Sequence, residues 1–271
     1  MTPRPRRLVL LGHPVAHSLS PRMQNAALRA AGIPLRYEPL DVPAGALDST
    51  LDALIAEDAA GNVTIPHKAA VAARCAVRTP IAERAGAVNT FWVEHGRLVG
   101  DNTDVDGFDD AIRELIGALP AHVAVGLVGA GGAAAAVLAA IERWGDCRAG
   151  VYNRSEARAR ALADRFPALA TVAATADEAV RGAALVINAT SVGLHDDAIP
   201  VPVEALDPAA AVLDLVYRRG DTALVRAARA RGRRAAGGLA MLVGQGARAF
   251  RRWFGVEPDR RVMWEALQDS I

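Results

Sequence analysis

The 271-residue sequence predicts an α/β fold with two domains, the second of them built on a doubly wound parallel sheet. Two patterns lead to this prediction. From residue 123 onward, short continuous apolar runs alternate with helical segments, as expected for parallel strands that helices cover on both faces. In the first 104 residues, apolar runs end in clusters of polar side chains, and one pair of runs resembles a hairpin.

The composition excludes several classes of function. Hydrophobic residues make up 52% of the chain, which allows a sizeable core, and 31 Lys and Arg balance 30 Asp and Glu. A net charge near zero argues against nucleic acid or an anionic membrane as a partner, because those partners favour a basic face. We interpret the arginine run over residues 226–234 as a solvated helix end rather than a binding patch.

The cysteines and the apolar runs indicate a cytoplasmic protein. Cys75 and Cys147 have neither metal-ligand nor redox spacing, so we expect reduced thiols and no metal site. The basic residues 1–7 precede a short apolar run over 8–11, which is too short for a signal peptide. No apolar stretch approaches the length of a membrane span.

The first domain is predicted to alternate strands with helices. Strands are expected over residues 8–11, 37–42 and 61–65, and helices between Ser20 and Gly32 and over 47–60 and 66–77. A further helix over 108–119 could bridge to the second domain. Ser20 and Pro21 suit the N-cap and first position of a helix, and Gly32 suits its end. Residues 86–93 and 97–100 predict a hairpin around Glu94-His95-Gly96.

The second domain is predicted from residue 123. Strands are expected over residues 123–128, 149–152, 185–188 and 211–216, with helices over 133–144 and up to about 166. Gly237-Gly238 breaks the chain, and the two helices that follow are expected to pack back on the first domain, leaving a cleft. The predicted boundaries are residues 1–105 with 241–271 for the first domain and 106–240 for the second.

A glycine-rich turn marks the second domain as a dinucleotide-binding Rossmann unit. Gly129, Gly131 and Ala134 fit G-x-G-x-x-A directly after a strand and before a helix. The glycines permit a tight turn and close approach of a pyrophosphate, which the free N–H groups at the helix start then bind. A plain strand-to-helix turn is the alternative, and the context disfavours it.

The next strand indicates which dinucleotide binds. NAD enzymes usually place a carboxylate at its end, to bond the ribose hydroxyls. Here the strand ends Tyr152-Asn153-Arg154-Ser155, with no carboxylate before Glu156. Arg154, with Arg158 one helical turn later, can pair with a 2′-phosphate, which favours NADP over NAD. An ordinary surface arginine is the alternative.

Lys68 and Asp104 are the candidate catalytic groups. Lys68 falls in the first turn of a helix opened by Pro66, where a cation is electrostatically disfavoured. Such a position suits a group that exchanges a proton, although a solvated lysine would look the same locally. Asp104, in Asp101-Asn102-Thr103-Asp104, could equally be a helix N-cap.

The order of these motifs resembles the shikimate dehydrogenases, from Gly12 to about Gly255. The segments GNVTIPHK and GAVNT with NTD are specific to that group, whereas the glycine turn is shared by many dehydrogenases. The matching segments are GHPVAHSLSP, GNVTIPHK, GAVNT, DNTD, GAGGAA, YNRS, NATSVGL, DLVY and GLAMLVGQ.

The resemblance implies a role for individual residues. Lys68 and Asp104 would form the catalytic pair. The substrate carboxylate would be held by Ser18 and Ser20, and the ring hydroxyls and carbonyl by Asn62, Thr64, Asn89 and Asp104. Tyr217 and Gln245 would contribute from the far side of the cleft. The implied cofactor contacts are Gly129, Ala130, Gly131, Gly132, Ala133, Asn153, Arg154, Ser155, Arg158, Thr190, Leu215 and Gly238.

The implied activity is NADP-dependent reduction of 3-dehydroshikimate to shikimate, on the route through chorismate to the aromatic amino acids. The expected partner is this small-molecule substrate, with no nucleic acid and no membrane, and the expected assembly is a monomer or homodimer. A broader quinate/shikimate or amino-shikimate enzyme and a non-catalytic NADP-binding regulator are the alternatives. A folate-type methylene dehydrogenase would have a similar two-domain organisation. The hydroxyl-binding clusters of this sequence suit a polar ring better than a folate substrate.

Some positions depart from the family pattern. Gln24 stands where histidine is common, and Gly246 stands where alanine is more usual. Arg218-Arg219-Gly220 replaces an Asn-Pro-type turn after Tyr217. The histidines at positions 13, 17 and 67 lie near the predicted site, but we do not assign them a catalytic role.

Overall fold

The computed structural model describes residues 5–268 and contains two compact units, each with a six-stranded sheet. One unit comprises Met1–Gly107 with Leu242–Ile271, and the other comprises Phe108–Met241. No helix in the part of the chain that the structure describes is long and apolar enough to span a membrane. Within the same residues, no group of three or more His, Cys, Asp or Glu side chains is arranged to hold a metal ion.

The first unit has a mixed sheet with strand order β2-β1-β3-β5-β6-β4. Its strands are β1 (Arg7–Gly12), β2 (Tyr37–Asp41), β3 (Ala59–Val63), β4 (Val77–Arg78), β5 (Thr90–Glu94) and β6 (Arg97–Asp101). Strand β1 pairs in parallel with β2 and β3, while β5 runs antiparallel to β3 and β6. Its helices are α1 (Ser20–Ala30), α2 (Leu47–Ala56), α3 (Lys68–Arg74), α4 (Pro80–Ala85) and the start of α5 (Asp104–Ile116).

The predicted hairpin is present as β5 and β6. His95 and Gly96 form its turn with φ of 51° and 69°, so both central residues adopt the left-handed conformation that tight hairpins require. A buried apolar core, including Leu51, Val71 and Phe91, packs against this sheet.

Three predicted segments of the first unit were wrong in extent. The helix predicted to reach residue 60 ends at Ala56, and β3 begins at Ala59 rather than 61, because buried pairing with β1 outweighs the helix propensity of alanine. The helix predicted over 66–77 occupies only Lys68–Arg74, and Val77–Arg78 pairs with β6 as β4. Helix α4 was not predicted, although Thr79 caps it and Pro80 opens it.

The second unit has the predicted parallel sheet, with order β12-β11-β10-β7-β8-β9. Its strands are β7 (Ala124–Val128), β8 (Arg148–Tyr152), β9 (Ala170–Val172), β10 (Leu185–Asn188), β11 (Ala211–Asp214) and β12 (Ala235–Ala236). Its helices are α6 (Gly132–Ile141), α7 (Glu156–Ala163), α8 (Ala176–Val180) and α9 (Ala223–Ala230). The strand order reverses between β7 and β10, where dinucleotides bind in doubly wound sheets.

The C-terminal helices return to the first unit, as predicted. They are α10 (Leu239–Phe254) and α11 (Arg260–Gln268), and α11 packs against α1. The Trp253 indole N–H donates to the Phe91 carbonyl at 3.2 Å, which joins α10 to β5.

Candidate active site

Lys68 and Asp104 form a close ion pair in the first unit. Lys68 is the first residue of α3 and Asp104 is the first residue of α5. Lys68 Nζ lies 2.5 Å from Asp104 Oδ2, and the two side chains are only 15% and 7% exposed. The helix dipole favours a carboxylate at a helix start and disfavours an ammonium. The Asp104 carboxylate therefore stabilises the charge of Lys68 at this position.

Asn89 holds the second oxygen of Asp104. Its Nδ2 donates to Asp104 Oδ1 at 2.8 Å, while its Oδ1 accepts from the Thr103 backbone N–H at 2.7 Å. Because a backbone N–H can only donate, it sets the direction of the amide and turns the NH₂ group towards the carboxylate. The Asp104 backbone N–H donates to Asn102 Oδ1 at 3.2 Å, which fixes the start of α5.

Asn62 and Gln245 join the same buried network. Asn62 Nδ2 donates to the Asn89 carbonyl at 3.1 Å and to Thr90 Oγ1 at 2.9 Å. Gln245 Oε1 accepts from Asn89 Nδ2 at 3.3 Å. The structure therefore brings five of the predicted site residues together: Asn62, Lys68, Asn89, Asp104 and Gln245.

The serines lie at the start of α1, but the predicted cap is wrong. Ser20 is the first helical residue rather than the N-cap, which is Leu19, and the Ser20 backbone N–H donates to Ser18 Oγ at 3.3 Å. The helix begins one position earlier than predicted, with Pro21 in its first turn. The two serines therefore remain neighbours at a helix N-terminus, where backbone N–H groups attract anions.

Thr64 follows β3, at the end of the strand next to β1. Its backbone N–H donates to the Leu11 carbonyl at 2.9 Å. A Cβ atom on Gly12 would lie 2.4 Å from Thr64 Cγ2, so only glycine permits this approach of the two strand ends.

Two of the nearby histidines have structural partners. His67 is buried, and its Nε2 lies 2.6 Å from the Val42 carbonyl, which can only accept, so Nε2 carries the proton. His13 Nδ1 lies 2.9 Å from Asp41 Oδ1 at the surface. The histidine that is common at position 24 is replaced by buried Gln24, whose Nε2 donates to the Gly246 carbonyl at 2.9 Å.

Asp101 is a supporting residue that was not predicted from the sequence. It is buried at the end of β6 and accepts from Thr79 Oγ1 at 2.5 Å and from Arg252 Nε at 2.7 Å. These bonds tie the loop that precedes Asp104 to α4 and α10. Asp101 is the first residue of the DNTD motif, so the motif marks its position. The neighbouring sequence does not indicate that its partners are residues as distant as Thr79 and Arg252.

The glycine turn of the second unit has the geometry that a pyrophosphate needs. Gly129 has φ of +119°, and a Cβ there would lie 2.8 Å from the Ala189 backbone. Gly131 is the N-cap of α6, and a Cβ there would meet no atom within 4 Å. The N–H groups of Gly132 and Ala133 begin α6, where intrahelical acceptors are lacking. Among the residues that the structure describes, none would contact a side chain at Gly131, so the turn is open on that side of the start of α6.

Further candidate cofactor residues surround the end of β8. Asn153 Nδ2 donates to the Ser155 carbonyl at 2.9 Å, and Ser155 is the N-cap of α7. Arg154 and Arg158 are exposed. Across residues 5–268 neither takes part in an ion pair, whereas Arg160 pairs with Glu156 at 2.6 Å. Two arginines without carboxylate partners fit a phosphate group.

A buried carboxylate organises the ends of β10 and β11. Asp214 accepts from Asn188 Nδ2 at 2.8 Å, from Thr222 Oγ1 at 2.6 Å and from the Val216 N–H at 3.1 Å. Burial raises the pKa of Asp214, and these hydrogen bonds oppose the rise. Asn188 Oδ1 in turn accepts from Thr190 Oγ1 at 2.6 Å, so the network reaches a predicted cofactor residue.

Leu215 and Gly238 lie against each other, because a Cβ on Gly238 would be 2.3 Å from the Leu215 carbonyl oxygen. Tyr217 follows in the same loop and is half-buried. After it, Arg218 Nη1 donates to the carbonyls of Gly193 at 3.1 Å and Asp196 at 2.5 Å, which attaches this loop to the segment after β10.

The arginine run after residue 226 is occupied by ion pairs, which agrees with a solvated helix end. Arg226 pairs with Asp197 at 2.9 Å and Arg229 pairs with Asp221 at 2.6 Å. The Arg226 guanidinium holds the pKa of the Asp197 carboxyl below its usual range.

Comparison with known proteins agrees with this geometry. Residues 10–91 match the shikimate dehydrogenase substrate binding domain, and residues 238–268 match the shikimate 5′-dehydrogenase C-terminal domain. A shikimate dehydrogenase (NADP(+)) from Rubrobacter xylanophilus is 45% identical over 268 residues, covering 95% of this chain and 94% of that protein. The chain belongs to the shikimate dehydrogenase family. The resemblance predicted from the motifs is thereby confirmed.

Solved shikimate and quinate dehydrogenases are similar in structure to this chain. The Thermus thermophilus enzyme, in complex with NADP(H) and shikimate, superposes with a TM-score of 0.87 at 42% identity, covering 98% of this chain and 99% of that one. A quinate dehydrogenase from Corynebacterium glutamicum in complex with NAD also has a TM-score of 0.87, at 31% identity, covering 98% and 99%. The predicted α/β class, with a Rossmann-type unit, is confirmed.

Proposed function

We propose that this protein catalyses the reversible NADP-dependent reduction of 3-dehydroshikimate to shikimate, a step towards the aromatic amino acids, with Lys68 and Asp104 as its catalytic pair. The observation that carries this proposal is the buried 2.5 Å contact between Lys68 Nζ and Asp104 Oδ2. Family membership supports the oxidoreductase class and the NADP dependence.

Lys68 has the chemistry that the carbonyl oxygen needs. NADPH, when bound, supplies the hydride. Negative charge then develops on the carbonyl oxygen, and an ammonium at that position stabilises the charge and donates the proton. Asp104 orients the ammonium through Oδ2, and Asn89 holds the carboxylate in place through Oδ1. In the reverse direction, Lys68 receives the proton of the hydroxyl.

The remaining substrate residues are assigned by chemistry. A ring with several hydroxyls needs many hydrogen-bonding partners, because unpaired buried polar groups are costly. We assign Ser18 and Ser20 to the substrate carboxylate. The ring oxygens are assigned to Asn62, Thr64, Asn89, Asp104 and Gln245, and Tyr217 stays a prediction from the family pattern.

The residues of the second unit suit NADP. The N-terminus of α6, with Gly129, Ala130, Gly131, Gly132 and Ala133, would hold the pyrophosphate. We assign Arg154 and Arg158 to the 2′-phosphate, with Asn153 and Ser155 beside them, and Thr190, Leu215 and Gly238 to the rest of the cofactor. The two free, buried cysteines support a cytoplasmic location. We expect a monomer or a homodimer.

The experiment that tests the proposal is steady-state oxidation of NADPH and NADH with 3-dehydroshikimate and 3-dehydroquinate. We expect fast turnover only with NADPH and 3-dehydroshikimate. Comparable rates with both acids, or with NADH, would indicate a broader quinate/shikimate enzyme. Cofactor binding without turnover on either acid would contradict the proposed function and favour a regulator.

A further inference from the structure

The hydroxyl of Tyr37 lies at the far end of the buried network that reaches Asp104. Tyr37 is the first residue of β2 and is 1% exposed. Its hydroxyl lies 2.9 Å from Asn62 Oδ1. None of the sequence motifs that indicate the site includes this tyrosine.

The direction of the first hydrogen bond follows from its surroundings. Asn62 Nδ2 faces the Asn89 carbonyl at 3.1 Å, and a carbonyl can only accept. The amide nitrogen must therefore lie on that side, which leaves Oδ1 facing Tyr37. The Tyr37 hydroxyl consequently donates, and the second amide hydrogen of Asn62 goes to Thr90 Oγ1 at 2.9 Å.

The remaining bonds run in the same direction. Thr90 Oγ1 donates to Asn89 Oδ1 at 3.0 Å, and Asn89 Nδ2 donates to Asp104 Oδ1 at 2.8 Å. Each donor thus points along the chain of bonds towards the carboxylate that pairs with Lys68. Hydrogen bonds arranged head to tail polarise one another, so the first donor strengthens the later ones.

Tyr37 is itself held from the opposite side. Its backbone N–H donates to Asn25 Oδ1 and its carbonyl accepts from Asn25 Nδ2, both at 2.9 Å. Its ring packs beside Trp253, with the ring centroids 6.0 Å apart. The hydroxyl is therefore a fixed point of the network.

We propose that Tyr37 is a positioning residue for this reaction, which locks the Asn62 amide and, through Thr90 and Asn89, the carboxylate that orients Lys68. The inference rests on the proposed function. Without the hydroxyl, Asn62 Oδ1 loses its donor inside the protein. Rotation of the amide would turn Oδ1 towards the Asn89 carbonyl, which can only accept, and would break the hydrogen bond that Nδ2 donates to it.

The first test is Tyr37→Phe, assayed with NADPH and 3-dehydroshikimate well below the melting temperature. We expect kcat to fall about tenfold, because a less firmly oriented Lys68 would stabilise the transition state less, by about the free energy of one hydrogen bond. The KM for NADPH should not change, because the network lies within the first unit. The matched control is Trp144→Phe, which removes the donor to Asp109 Oδ1 at 2.8 Å from a buried aromatic side chain of the second unit. Its kcat should equal that of the wild type.

A double-mutant cycle with Asn62→Ala separates positioning from general destabilisation. If Tyr37 acts through Asn62, then Tyr37→Phe in the Asn62→Ala background should lower kcat by about twofold or less. Three outcomes would each overturn the inference. The kcat of Tyr37→Phe could equal that of the wild type, or Tyr37→Phe could lower kcat in the Asn62→Ala background as much as it does in the wild type. The third is that Trp144→Phe lowers kcat as much as Tyr37→Phe does. An inactive wild type would instead refute the proposed function and the inference with it.

Discussion

Lys68 and Asp104 are 36 residues apart in sequence, yet Nζ and Oδ2 meet at 2.5 Å. Each is the first residue of its helix, so two chain segments enter the same buried region at their helix starts. The helix dipole favours the carboxylate and disfavours the ammonium, and the direct pairing offsets that disadvantage. An ammonium kept in place in this way is ready to serve a developing oxyanion.

Replacement of Lys68 should remove most of the catalysis. We expect Lys68→Ala to lower kcat by about 10²–10⁴-fold, since it removes both the proton donor and the oxyanion partner. The KM for the substrate should change less, because other side chains bind the ring. NADPH binding, measured by fluorescence titration, should be unchanged and is the control for folding. A kcat equal to that of the wild type would remove Lys68 from the mechanism.

Replacement of Arg154 should separate the two nicotinamide cofactors. Arg154→Ala should raise the Kd for NADPH by about tenfold or more and leave the Kd for NADH nearly unchanged, because only NADPH has the 2′-phosphate. Arg160→Ala is the matched control, since Arg160 lies on α7, which follows Arg154, and is already paired with Glu156. Equal losses for NADPH and NADH would contradict the assignment.

Replacement of Arg218 tests how much the attachment of the loop after Tyr217 contributes to stability. Arg218→Ala removes two hydrogen bonds to the carbonyls of Gly193 and Asp196, and we expect the free energy of unfolding to fall by about 1–2 kcal/mol. The exposed neighbour Arg219 provides the control, because Arg219→Ala should change the free energy of unfolding by less than about 0.5 kcal/mol. Urea unfolding measures both. Equal effects would show that the attachment contributes nothing to stability.

The buried carboxyl of Asp214 should make stability depend on pH. Burial raises its pKa above the usual 3.8, so the folded state binds the proton more tightly than the unfolded state. The contribution of protonated Asp214 to the free energy of unfolding is fully present below pH 3.8. It is lost as the pH rises through the pKa of Asp214 in the folded state. We expect the unfolding free energy of the wild type minus that of Asp214→Asn to decrease as the pH rises above 3.8 and then to level off. A difference that grows with pH would contradict this assignment.

Local signals predicted those parts of the fold that depend on a few neighbouring residues. The glycine turn at Gly129 and Gly131, the hairpin at His95-Gly96 and the strand Leu185–Asn188 all follow from turn chemistry or a short apolar run. The start of β3 at Ala59 could not be predicted in this way, because Ala59 and Ala60 continue the helical pattern of the sequence. They form a strand only because they pair with β1. Strand β4 was not predicted because it also depends on a distant partner. It pairs with β6, which lies about twenty residues further along the chain.

The sequence by itself determined the fold class, the family and the identity of the chemical groups, because glycine, proline and motif spacing act within short windows. Only the tertiary structure decided how those groups are supported. Asp101 meets Arg252 across 151 positions, and Tyr37 reaches Asn62 across 25. Such contacts depend on where distant strands and helices pack, and a buried hydrogen bond forms wherever packing places a donor beside an acceptor. No local pattern encodes that placement.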